Sequence, residues 1–208
     1  MKLIASTVAC FDGGNFVLGG LTLGDQSLVD FGLELTAGCR QTYAKTATKI
    51  GPDSFAWEDS KLLNSNPPAG QEDFYNDNGY WLTGESYQLR PEVIESYYYA
   101  YRATGDAKYQ DWAWEAFVAI NATCRTGSGF SNLNNVNDAS QGFGDDQESF
   151  FFAEVMKYSY MIHAEDADWQ VKADQTNKFV FNTEAHPMRI ANDGVAKKRD
   201  NKLWRAEM

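Results

Sequence analysis

Two acidic residues at the predicted start of a helix form the first cluster in this sequence that could carry out chemistry. Glu92 and Glu95 closely follow Arg90 and Pro91. Pro91 is typical of the first position of a helix, and side chains three residues apart lie on one helix face. Carboxylates are common general acids and bases, but acids at a helix start are also stabilised by the helix dipole alone. Arg90 beside the two glutamates favours a functional site.

A second cluster combines an aromatic ring with a carboxylate. Phe150 and Glu154 are four residues apart in a predicted helix, so they share a face. An aromatic ring can cover the C–H faces of a sugar, while a carboxylate accepts hydrogen bonds from the sugar hydroxyl groups. The alternative is a core phenylalanine beside a surface pair of Glu154 and Lys157.

The third cluster lies in a predicted turn near the end of the chain. Thr183 stands in the segment FNTEAHP at 181–187. A threonine offers a hydroxyl and a carbonyl oxygen, and both suit a hard cation such as calcium. One threonine is too few ligands for a protein cage, so water or substrate oxygens would have to complete the shell. Taken alone, the segment predicts a turn.

Helix signals dominate the sequence and predict the elements that would position these clusters. Aspartate is a preferred helix cap, and glycine often ends a helix. The predicted helices, with their first residues or caps, are 25–43 (Asp25), 91–104 (Pro91, ending at Gly105), 106–127 (Asp106) and 147–163 (Asp145 or Asp146).

Polar loops and one short strand are predicted between and after these helices. The segments 64–80 and 127–145 are long and rich in Asn, Gly, Asp and Ser, and long ordered loops often carry a site. Residues 178–183 are predicted to form a strand. The polar tail at 192–208 is expected to fray.

Size and charge limit the classes of function. A chain of 208 residues and 23.3 kDa suits one domain. Its net charge of −11 disfavours a nucleic-acid partner, and no apolar run reaches transmembrane length. Two isolated histidines, His163 and His186, exclude a His-based zinc site. Residues 1–9 begin like a secretory signal, but the apolar stretch ends too soon for a complete signal peptide.

Three cysteines leave two redox interpretations open. Cys10, Cys39 and Cys124 form no C-x-x-C pair, so a thiol redox motif or a zinc knuckle is not expected. Two of them could form one disulfide, or all three could be buried thiols. The cysteine count does not decide between these interpretations.

Six motifs occur in order along the chain. They are CFDGG at 10–14, GPDSF at 51–55, LRPEVIES at 89–96, YRATGD at 101–106, ESFFFAEVMKY at 148–158 and FNTEAHP at 181–187. Together they resemble the carboxyl-terminal half of the class I α-1,2-mannosidases, glycoside hydrolase family 47, most closely the fungal type. The resemblance covers about residues 8–191.

The resemblance implies a fold, a reaction and a compartment. The family fold is an (α/α)7 barrel of helical hairpins plugged by a β-hairpin, so a partial barrel is expected here. The family trims α-1,2-linked mannose from high-mannose N-glycans with inversion and uses calcium. An inverting reaction needs one acid and one base about 6.5–9.5 Å apart. The implied location is the secretory pathway (Golgi or endoplasmic reticulum) or the exterior.

The resemblance also assigns roles to single residues. Glu92 matches the general base, and Asp53 matches an acidic position considered as a proton donor. Thr183 matches the calcium ligand. Cys10 and Cys39 match the family disulfide, with Cys124 unpaired. The residues matching the sugar subsite are Arg90, Glu95, Phe150, Glu154 and Glu184.

The chain departs from the family pattern at its start. Residues 1–7 are expected to be unrelated sequence, since Thr7 stands where the family tends to have histidine. The half that should carry the acid opposite Glu92 is missing, so a large exposed apolar surface, low stability and little activity are expected. A non-hydrolytic high-mannose lectin and a helical scaffold with a structural calcium are the alternatives.

Overall fold

Four helices in two hairpins build the centre of the fold. The computed structural model describes residues 3–58, 66–174 and 176–191. Helices α1 (Phe11–Leu23) and α2 (Gln26–Ala44) are joined through Gly24, whose φ of 69° suits glycine. Helices α4 (Glu92–Thr104) and α5 (Lys108–Thr123) are joined in the same way at Gly105. A short α3 (Glu72–Asn78) lies between the two hairpins in the chain.

The predicted helices of these hairpins are confirmed, with small shifts at their ends. Asp25 caps α2 by accepting a hydrogen bond from the Ser27 amide at 2.9 Å. Helix α4 begins at Glu92, and Pro91 is its N-cap. Helix α5 ends at Thr123, earlier than predicted, because the chain turns at Cys124.

Helix α1 was not predicted, because its glycines weaken the helix signal. The structure explains them by close packing against α2 and α4. A Cβ atom on Gly13 would lie 2.5 Å from Thr36 Oγ1, and one on Gly32 would lie 2.7 Å from the Gly13 carbonyl oxygen. Tertiary contact therefore outweighs local propensity here.

A three-stranded antiparallel sheet joins segments before α1, after α2 and after α3, and it was also not predicted. Its order is β1 (Leu3–Ser6), β2 (Ser54–Trp57) and β3 (Trp81–Gly84), with Ser6 opposite Ser54. Strands of four residues carry little period-two signal. Helix α3 lies inside the predicted loop 64–80, of which residues 64 and 65 lie outside the described part.

The later part of the chain differs from the predicted continuous helix 147–163. A π-helix (Phe151–Met156) leads into a short α6 (Lys157–Met161). A β-hairpin of β4 (Phe179–Phe181) and β5 (Pro187–Arg189) follows, so the predicted strand is confirmed in part. The predicted loop 127–145 contains a 3-10 turn (Ala139–Gln141). The polar tail 192–208 lies outside the described residues.

Helix α4 is the most enclosed element and forms the middle of the core. Its residues Val93, Ile94, Tyr97 and Tyr98 are fully buried. A disulfide joins Cys10 to Cys39, while Cys124 is a buried free thiol. No helix in the described part of the chain is long and apolar enough to cross a bilayer.

We expect Gly32→Ala to lower the free energy of unfolding by about 1–3 kcal/mol, since the new methyl group would overlap backbone atoms of α1. Gly38→Ala in the same helix is the matched control. Nothing lies within 4 Å of a Cβ at Gly38, so this change should raise the free energy by up to about 1 kcal/mol. Urea unfolding measures both, and equal stabilities would contradict the close packing.

Candidate active site

A cavity of about 480 Å³ opens at the amino-terminal end of α4, and we call it the acid cavity. Three carboxyl groups line it: Glu92 and Glu95 from the first turn of α4, and Glu154 from the π-helix. Thr183 and Asn182 line it from the turn of the β4–β5 hairpin. The apolar and remaining polar lining residues are Val8, Phe11, Asn15, Leu18, Tyr99, Val180 and Phe181.

The π-helix explains how Glu154 reaches the acid cavity. A π-helix widens the backbone turn and often marks a functional position. Glu154 is only 6% exposed, so the interpretation as a surface Glu–Lys pair with Lys157 is wrong. A buried carboxyl group is costly unless it is protonated or compensated.

Residues 182–186, which we call the hairpin turn, present Thr183 to the acid cavity. Asn182 Oδ1 accepts hydrogen bonds from the amides of Glu184 at 3.1 Å and His186 at 2.9 Å. Ala185 has a left-handed φ of 55°, which is rare for a residue with a side chain. The turn is therefore a defined structure and more than a flexible connection.

Glu92 is the most unusual of the three acids. Its Oε2 atom is buried and has no hydrogen-bond partner in the described part of the chain. Burial raises the pKa of Glu92, and the charge of Asp53 adds to the rise, while the backbone amide and Arg90 oppose it. A buried carboxylate oxygen without a partner is rare in proteins and points to an ordered water, an ion or a functional role.

The pKa values of Glu95 and Glu154 are also raised, and the charge of Glu92 contributes to both rises. Burial raises the pKa of Glu95 to about 8; the Tyr158 hydroxyl, 3.1 Å from Oε1, opposes the rise by donating a hydrogen bond, and the charges of Glu154 and Glu92 add to it. Burial raises the pKa of Glu154 to about 7, helped by the charges of Glu92 and Glu184. The acid cavity therefore resists holding three ionised carboxylates at once.

Arg90 and Asp53 form an ion pair next to Glu92 without lining the acid cavity. Arg90 Nε donates to Asp53 Oδ1 at 2.9 Å. The Asp53 carbonyl oxygen accepts from the Thr7 amide at 2.9 Å and from Ser6 Oγ at 3.2 Å. The end of β1 thus holds Asp53 in place, although residues 1–7 were expected to be unrelated sequence.

Two further predicted residues are not among the residues that line the acid cavity. Phe150 is half-buried, precedes the π-helix and is not among the lining residues. Glu184 is exposed, and its charge acts on Glu154. Sequence reasoning missed Tyr158 as a partner of Glu95, since no local pattern connects positions 63 residues apart.

The donor set of the acid cavity fits a hard divalent cation held largely through water. Carboxylate and threonine oxygens are suitable ligands, and a positive charge would stabilise the ionised forms of the three acids. No group of three Asp, Glu, His or Cys side chains in the described residues is arranged to hold a metal directly. Thr183 adds a hydroxyl and a carbonyl oxygen to the carboxylates at this cavity.

The sequence and the fold match one family of glycosidases. The sequence model of the family described as "Glycosyl hydrolase family 47" matches residues 3–190. The chain therefore belongs to this family. The match begins at residue 3, earlier than the motifs predicted, and so includes β1.

Three relatives describe the similarity more closely. The chain is 55% identical over 192 residues to a mannosyl-oligosaccharide alpha-1,2-mannosidase of Penicillium citrinum, covering 92% of this chain and 37% of the relative. A protein of the same name from Coccidioides posadasii is 56% identical over 196 residues, covering 93% and 37%. An alpha-1,2-mannosidase structure from Trichoderma reesei is 51% identical with a TM-score of 0.89, covering 91% and 40%.

Two facts follow from this similarity. The neighbouring structure is an (α/α)7 barrel, so the helical hairpins and the small β-hairpin described here are part of that architecture, as predicted. The chain spans little more than a third of the length of the curated relatives it matches.

We expect Glu95→Gln to reduce the pH dependence of stability. The folded state raises the pKa of Glu95 to about 8, so between about pH 4.5 and pH 8 it binds more protons than the unfolded chain, and stability falls as pH rises. Glutamine keeps the oxygen that accepts from Tyr158 and removes the titration. The variant should gain about 1 kcal/mol relative to wild type between pH 5 and pH 8, a figure discounted for the open cavity.

Urea unfolding at pH 5 and at pH 8, with a chelator present, measures this difference. Glu34→Gln on the exposed surface of α2 is the control, because water hydrates that carboxylate in both states. Parallel pH curves for wild type and Glu95→Gln would contradict the shifted pKa.

Proposed function

We propose that this chain is the base-bearing part of an inverting, calcium-dependent mannosyl-oligosaccharide 1,2-alpha-mannosidase that acts on high-mannose N-glycans in the secretory pathway or outside the cell. The observation that carries the proposal is the buried, unpartnered Glu92 Oε2 in a cavity lined by two further acids and Thr183. The family match and the names of the relatives support the substrate class.

Glu92 is the proposed general base. A buried carboxyl group with a raised pKa and one free oxygen can accept a proton from a water molecule that enters the acid cavity. Arg90 and Asp53 lie beside it, and their ion pair orients the guanidinium near Glu92. The remaining subsite residues Glu95, Glu154, Glu184 and Phe150 are proposed to bind sugar hydroxyl groups and the ring face.

Calcium is the proposed cation, and Thr183 is its proposed direct ligand. When bound, the ion would polarise the water and sugar oxygens near it. The protein contributes Thr183 at a fixed position on the hairpin turn and a ring of carboxylates that stabilises positive charge. Glu92 remains the proposed general base whether or not the ion and its bound water molecules are present.

A lectin-like protein that binds high-mannose glycans without hydrolysis is the alternative. One observation favours it: Asp53, the candidate proton donor, is engaged as the acceptor of an ion pair with Arg90. An inverting reaction needs an acid as well as a base. A chain that holds the base and the subsite, but whose acid comes from elsewhere, can bind without cleaving.

We expect Glu92→Gln to slow mannose release from α-1,2-linked mannobiose by about 10²–10⁴-fold in every hydrolytically competent form, since the amide cannot accept the proton of water. Binding of the disaccharide, measured by calorimetry, should change little. Glu34→Gln is the control for both measurements. Full activity in Glu92→Gln would remove Glu92 as the base, and binding without release in wild type would favour the lectin.

We expect Thr183→Ala to weaken Ca²⁺ binding by at least about tenfold, because it removes one oxygen at the cavity wall. Isothermal titration calorimetry with CaCl₂ measures the affinity. Thr83→Ala, which changes an exposed threonine on β3 that does not line the acid cavity, is the matched control. Equal Ca²⁺ affinities for wild type and Thr183→Ala would exclude Thr183 as a ligand.

A further inference from the structure

Lys157 joins the helix that carries Glu154 to the hairpin turn that carries Thr183. Its Nζ donates a hydrogen bond to the Ala185 carbonyl oxygen at 2.9 Å, across 28 residues of sequence. Lys157 is the first residue of α6 and stands three positions after Glu154. One short stretch of chain therefore supplies both an acid to the cavity and a donor to the turn.

The bond from Lys157 links the hairpin turn to another element of the fold. Its remaining hydrogen bonds in the described residues are internal: the amides of Glu184, Ala185 and His186 donate to Asn182, and the Asn182 amide donates to the His186 carbonyl oxygen. Among the hydrogen bonds of the described ranges, the Lys157 bond is the only one that a side chain outside the hairpin donates to residues 182–186. Phe181, at the edge of the turn, packs on Tyr98 and Tyr158 through ring contacts.

The backbone conformation of Ala185 makes the partner of its carbonyl oxygen important. Its φ of 55° lies in the left-handed region, which costs free energy for any residue with a Cβ atom. Ala185 is also fully buried, so without Lys157 its carbonyl oxygen would lose its partner inside the protein. A turn that relaxed to relieve this strain would move Thr183, two residues earlier.

The position of the ammonium group also suits the charge of the acid cavity. Burial is the largest cause of the raised pKa of Glu154, and the Lys157 charge opposes it. Lys157 can therefore hold the hairpin turn and also offset part of the negative charge of the acid cavity. A neutral hydrogen-bond donor at this position could hold the turn but would not offset the charge.

We propose that Lys157 is a positioning residue whose bond to the Ala185 carbonyl holds the hairpin turn so that Thr183 stays at the wall of the acid cavity. Lys157 does not line the cavity and would touch neither cation nor sugar. It acts through Thr183, so the inference rests on the proposed cation site. Removing the Lys157 bond should therefore lower the affinity for the cation much more than the stability of the fold.

The test compares Ca²⁺ affinities of the full 208-residue chain by isothermal titration calorimetry. Lys157→Met keeps most of the length of the side chain and removes the donor, and we expect it to weaken Ca²⁺ binding at least about tenfold, the usual scale for residues that orient a ligand. Lys157→Arg keeps a charged donor and should recover affinity to within a few-fold of wild type. The melting temperature in chelator should stay within a few degrees for both variants.

Lys178→Met is the matched control. Lys178 lies at the base of the same hairpin and forms an exposed pair with Asp168, so its removal should leave Ca²⁺ affinity unchanged. An equal loss in Lys178→Met, an unchanged affinity in Lys157→Met, or a Lys157→Met protein that fails to fold would each overturn the positioning role. Absence of Ca²⁺ binding in wild type would instead overturn the proposed cation site itself.

Discussion

The burial of three carboxyl groups around one cavity is the constraint on which the rest of the structure depends. Burial raises the pKa values of Glu92, Glu95 and Glu154, and the charge of Glu92 adds to the rise at the other two. Such a cluster is costly in a low-dielectric environment unless protons, hydrogen bonds or a positive charge compensate it. A fold retains this arrangement only where the surrounding elements hold the groups in place.

The surrounding elements supply that rigidity from several directions. Helix α4 is buried along most of its length and fixes Glu92 and Glu95. The π-helix directs Glu154 inward, and Tyr158 orients Glu95. The close approach of α1 and α2 through their glycines places the wall that carries Asn15 against the same cavity. Each element acts on the site through packing that is distant in sequence.

Local chemistry in the sequence predicted much of the helical framework. The Asp25 cap, the glycine after Thr104 and the proline before Glu92 are local signals, and the structure contains all three features. Helix α1 and the three-stranded sheet were missed, because glycine lowers helix propensity and four-residue strands show no clear alternation. The ordered motifs predicted the family and the disulfide of Cys10 and Cys39, as the match and the structure confirm.

The sequence by itself determined which residue types are present and the family to which they belong. It also determined that Glu92 and Glu95 share one face, since three residues span nearly one helical turn. Only the tertiary structure decided that Glu154 and Thr183 reach the same cavity, that Arg90 pairs with Asp53 and that Lys157 holds the hairpin turn. These relations join positions far apart in the chain, and they arise from packing and burial, which no local pattern of residues encodes.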